Sequence, residues 1–74
     1  MTAIMLTRTD DRRNMARFYK LDIKPTLFGE WSFVREWGRI GRAGTVRVET
    51  HRTRGRADVA LALSWAKRLK RGYR

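Results

Sequence analysis

An α+β fold, a small antiparallel sheet of three to four strands with one C-terminal α-helix packed on one face, is what these 74 residues predict. Three observations lead there. Stretches as far as Thr50 alternate apolar and polar side chains at period two, the pattern of half-buried strands. Beyond Arg52 the apolar spacing becomes helical. Finally, a chain this short buries only about 60% of the surface its unfolded form exposes, so residues 1–74 are expected to form one domain around one thin core.

Each element has its own signal. Ala3 to Thr7 is a candidate fourth strand, ahead of a turn at Asp10-Asp11. From Arg17 to Ile23, Tyr19, Leu21 and Ile23 share one face and Phe18, Lys20 and Asp22 the other; Pro25 ends the pairing because it has no N–H to donate. In the next strand Trp31, Phe33, Arg35 and Trp37 share a side opposite Ser32, Val34 and Glu36, with Trp31 and Phe33 read as core. The segment from Thr45 to Thr50 sets Val46 and Val48 against Arg47 and Glu49. A helix follows from about Ala57 to Arg71, with Val59, Ala62, Leu63, Trp65, Ala66 and Leu69 on the arc expected to pack. Ser64, Lys67, Arg68 and Arg71 take the opposite arc. Thr53 or Gly55 can cap its start, Asp58 lies near its positive end, and Gly72 suits the terminating position. Trp65 is expected in the core.

Charge narrows the function. The chain carries 18 Lys plus Arg against 7 Asp plus Glu, a net charge of +11, which favours a polyanionic partner. Residues 51–74 hold 8 of those cations and one acid. Arginine dominates, and its planar fork suits phosphate and stacking on bases. With no cysteine, disulfides and thiolate metal sites are excluded, and a reducing compartment, the cytoplasm with its nucleoid, is the expected location. No basic leader segment opens the chain and no run of about eighteen apolar residues occurs, so no membrane partner is expected. A chain this small offers no deep cleft, so neither an enzyme, a small-molecule substrate nor a cofactor is expected. His51 stands alone at a strand end without the geometry of a triad. Gly38, Gly41 and Gly44 lack the spacing of a dinucleotide fingerprint.

The segment EWGRIGRAG, residues 36–44, is a strand, a glycine-spaced turn and the start of another strand. Gly38 permits close approach of another backbone or a flat ligand, and Gly41 and Gly44 permit positive φ. Trp37 and Arg39, two residues apart on an extended segment, project on the same side, so stacking and phosphate contact can act together.

With this tripeptide, Trp37-Gly38-Arg39, the sequence resembles the WGR domain family. Phe18-Tyr19-Lys20-Leu21 resembles the family's first aromatic strand, Leu27-Phe28-Gly29 with Trp31 to Trp37 its central strand, and Lys70-Arg71-Gly72-Tyr73 the end of its bacterial helix. The resemblance implies a sheet with a helix packed on it, in a stand-alone module without the catalytic and regulatory domains of the poly(ADP-ribose) polymerases. It also implies DNA binding near a strand break and a role in DNA repair: Trp37 as stacking platform, Gly38 as close-approach position, Arg39 as the cation at the DNA end, with Arg17 and Tyr19 beside them. An asparagine of the eukaryotic versions is Ala16 here, one polar DNA contact fewer. Arg42 and Arg47 complete the expected basic surface. RNA and single strands are further possible ligands, although an RNA-recognition fold needs two helices and one is seen. The rival expectation is a protein–protein adaptor that uses Trp37 and Arg39 to recruit a DNA-repair or other nucleic-acid enzyme.

Overall fold

In a computed structural model that describes residues 2–74, the chain forms a four-stranded antiparallel meander followed by one helix. Strands β1 (Thr2–Asp10), β2 (Met15–Pro25), β3 (Trp31–Arg39) and β4 (Thr45–His51) are neighbours in chain order, and α1 spans Arg54–Lys70. The expected strands are all present, and β1 runs three residues past Thr7. Its turn into β2 is a short 3₁₀ segment, Asp11–Arg13, in which the Asp10 carboxylate accepts from the Arg12 N–H at 3.1 Å. Asn14 then takes a left-handed conformation, φ 50°, that asparagine tolerates better than most residues.

The β2–β3 turn is built on Thr26, whose hydroxyl accepts from the N–H groups of Phe28 and Glu30. Leu27-Phe28-Gly29, which resembled part of a strand, forms this exposed turn instead, with Gly29 at φ 78°. At the β3–β4 turn the Arg42 N–H donates to the Arg39 carbonyl at 3.1 Å, and Gly41 supplies the positive φ, 88°, that a type II turn needs at its third position. Gly44 has no positive φ. It is required for another reason: a Cβ there would overlap the Trp37 carbonyl oxygen and come within 2.9 Å of the Phe18 ring.

The helix covers β2, β3 and β4. Thr53 caps its start, the hydroxyl accepting from the Arg56 N–H at 3.2 Å. It ends in a Schellman arrangement: Tyr73 N–H donates to Arg68 O at 3.0 Å, Gly72 N–H to Leu69 O at 3.1 Å, and Gly72 has φ 90°. The tail then returns to β1, where Thr7 and Arg74 exchange backbone hydrogen bonds of 2.9 and 2.8 Å. This closes part of that sheet edge and brings Tyr73 into the core with Leu6, Tyr19, Leu21, Ile23, Phe33, Ala57 and Leu61. Trp31 is half-buried against that core.

The helix phase differs from expectation. Ala57 and Leu61 are buried and Ala60, Ser64 and Arg68 half-buried on the packed side, whereas Val59, Leu63 and Leu69 are exposed. Trp65, expected in the core, is 39% exposed. The reason lies in the sheet. Its inner face already presents Tyr19, Leu21, Ile23 and Phe33, so the helix can approach closely only through a side with small residues such as Ala57 and Ala60. Leu63→Gln should accordingly change stability by no more than about 0.5 kcal/mol, as surface substitutions do. A fall of several degrees in its melting temperature would show that this arc packs after all.

Candidate nucleic-acid interface

Side-chain alternation and strand register build one surface from the helix-side face of the sheet, beyond the helix C-terminus. Tyr19 and Trp37 are direct cross-strand partners, and their rings stack with centroids 5.6 Å apart and planes 14° from parallel. Tyr73 meets Tyr19 edge-on at 6.0 Å, and the Arg68 guanidinium lies 4.2 Å from the centre of the Tyr19 ring. Tyr19 is only 2% exposed, so its part is to support Trp37 from beneath and not to touch a ligand. Trp37 is half-buried and keeps an open side.

That side opens on a cleft of about 450 Å³, lined among others by Arg13, Asn14, Arg17, Trp37, Arg39 and Tyr73. Arg8 pairs with Arg17, and Arg17 with Arg39, so three arginines stand opposite one another across β1, β2 and β3; Arg17 and Arg39 line this cleft, whereas Arg8 lines a second hollow with Gly72 and Arg74. Like charges placed directly opposite repel by about 0.2 to 1 kcal/mol per pair. Among the described residues no carboxylate lies within salt-bridge distance of any of the three. An anion set across this ladder would relieve the repulsion and meet several guanidinium donors at once.

The remaining site candidates fall elsewhere. Gly38 does permit a close approach, but of this chain's own backbone: a Cβ there would lie 3.0 Å from Gly44 Cα and 3.6 Å from the Phe18 ring. Arg42 is exposed in the β3–β4 turn and does not line the cleft. Arg47 is exposed on the edge strand, opposite Arg35, whose charge is met by Glu49 at 2.6 Å. Thus Trp37, Arg17 and Arg39 come together, Tyr19 supports them, Arg47 stands farther along the face, and Arg42 lies apart. Arg8, Arg13, Asn14 and Tyr73 were not foreseen. The period-two alternation of β1, followed past Thr7, would have reached Arg8; no sequence signal announced that the tail returns to the sheet.

The match with a family model decides the assignment, since it spans residues 2–74 and is described as the WGR domain. The chain belongs to the WGR family. WGR domains are in general small nucleic-acid-binding domains without a known catalytic role. This one is also similar to an uncharacterised protein, y4dW, of Sinorhizobium fredii, 42% identical over 72 residues. That match covers 96% of this chain and 35% of the relative, so the WGR chain spans about a third of the length of the curated protein it matches. No solved structure matches it. Among the described residues, no helix is long and apolar enough to cross a membrane.

Proposed function

We propose that this WGR domain binds DNA, with preference for ends and nicks, and performs no chemistry itself. The observation that carries this reading is the half-buried indole of Trp37 bordering a ladder of arginines that, among the described residues, no carboxylate neutralises. At an interrupted duplex a terminal nucleotide offers both a flat surface and a phosphate. Trp37 accepts the first, and Arg17 and Arg39 the second. An intact duplex hides its base faces in the stack and offers phosphate alone. Affinity therefore comes mainly from charge, and end preference from the aromatic ring.

Trp37→Ala should remove about 1 to 3 kcal/mol of binding to a blunt end while leaving closed-circular duplex binding mostly intact. Because Trp37 also stacks on Tyr19, the comparison belongs well below the melting temperature of the variant. Arg17→Ala and Arg39→Ala should each reduce the slope of log K against log salt by about 1, as loss of one phosphate contact does. The deciding titration uses a blunt hairpin, a closed circle and a single strand, each at two salt concentrations. Tightest binding to the hairpin, weakened by salt, supports the proposal. Salt-insensitive or absent binding to all three would favour the adaptor reading, in which Trp37 and Arg39 anchor a protein partner.

A further inference from the structure

The helix carries a second surface that the nucleic-acid cleft does not use. Val59, Ala62, Leu63, Trp65, Ala66 and Leu69 lie at three- and four-residue spacings on the side of α1 turned away from the sheet. Val59 is 60% and Leu63 65% exposed. At about 100° per residue, Trp65 and Leu69 form one wall, Ala62 and Ala66 a low floor, and Val59 and Leu63 the other wall. This is a trough of the shape that admits a ridge of side chains from another helix.

Charge says what kind of helix. Arg56 and Lys67 border the Leu63 wall and Lys70 closes the C-terminal end. Asp58, the sole acid of α1, lies 4.0 Å from Arg54. A second copy of this chain would bring Arg56 against Lys67 and Lys70 in an antiparallel pairing, and like charges so placed disfavour that contact. A phosphate backbone has nothing apolar to set against Val59, Leu63 and Leu69. An amphipathic helix with an acidic border matches both the trough and its rim.

We infer that the outer face of α1 docks an acidic amphipathic helix of a partner protein, on a surface separate from the Trp37 cleft. The proposal does not rest on the DNA reading. The test uses two synthetic peptides of about 18 residues, some five helical turns, that share one apolar stripe and carry either glutamates or lysines beside it. The glutamate peptide is expected to bind, shifting the backbone amides of Val59 to Leu69 and leaving those of Trp37 to Arg39 in place. The doubly substituted L63Q/L69Q protein should bind it about tenfold or more weakly with its melting temperature unchanged, since both side chains are exposed. Absent binding, equal binding of the lysine peptide, shifts confined to the Trp37 cleft, self-association through this face, or attachment to anionic lipid vesicles in preference to the peptide would each overturn the inference.

Discussion

Tyr19→Ala should destabilise the domain by about 3 to 5 kcal/mol, the cost of removing a large aromatic ring from a packed core. Tyr19 contacts the Trp37 ring, the Tyr73 ring and the Arg68 guanidinium. Deleting it leaves a void under the cleft and leaves the half-buried Arg68 without its aromatic neighbour. A 74-residue domain has a total stability of roughly 4 to 11 kcal/mol, so the variant should sit near the edge of folding at 25 °C. Tyr19→Phe keeps the ring and should stay within about 1 kcal/mol of the parent. Thermal unfolding followed by circular dichroism checks both; a loss below about 1 kcal/mol for the alanine variant would contradict the buried position of Tyr19.

Gly44→Val should cost about 3 kcal/mol, at the upper end for overpacking, and lower the melting temperature by about 12 to 24 °C. The clash is with backbone, since even a Cβ at position 44 would overlap the Trp37 carbonyl oxygen, and no rotamer change can relieve it. The β3–β4 hairpin would have to open beside the residue that carries the proposed function. Gly41 faces a different constraint: a Cβ there meets nothing within 4 Å, but φ is 88°. Gly41→Ala should therefore lose only about 1 to 2 kcal/mol, the cost of a left-handed conformation. If both glycine variants melted alike, steric closure at Gly44 would not be the reason for that residue.

Much of this architecture was legible because period-two alternation survives in β2, β3 and β4, and the inner face of β3 was readable from Trp31, Phe33, Arg35 and Trp37. The Gly72 terminator was legible too, since capping chemistry is local, and the cap was narrowed to Thr53 or Gly55, of which Thr53 caps and Gly55 lies within α1. Helix phase was not. Apolar residues lie on both sides of α1, and the richer arc, Val59 to Leu69, drew the assignment although the thinner stripe of Ala57, Ala60 and Leu61 allows closer packing. Sequence pattern reports hydrophobicity and says nothing of how near a helix must come to a sheet crowded with aromatic rings.

The candidate site was legible in part. Odd-numbered positions placed Arg17, Tyr19, Trp37 and Arg39 on faces that the β2–β3 register then joined. The depth of Tyr19 and the ladder made with Arg8 depend on cross-strand register and on a tail that folds back, both long-range facts. The sequence leaves Gly38 as room for another backbone or a flat ligand and Gly44 as a site of positive φ, and only the backbone approach at Gly38 holds. In the fold Gly38 is room for the Gly44 backbone and Phe18, and Gly44 is room for the Trp37 backbone and Phe18.

The most direct test of the central claim is to add a short blunt-ended duplex to the isotope-labelled domain and record which amides move. If Trp37 and the arginine ladder receive the DNA end, the Trp37 indole N–H and the amides of Arg8, Arg17 and Arg39 should shift together, and the exposed arc of α1 should stay in place. Shifts confined to the helix and its N-terminal arginines, with the Trp37 indole unmoved, would contradict the account.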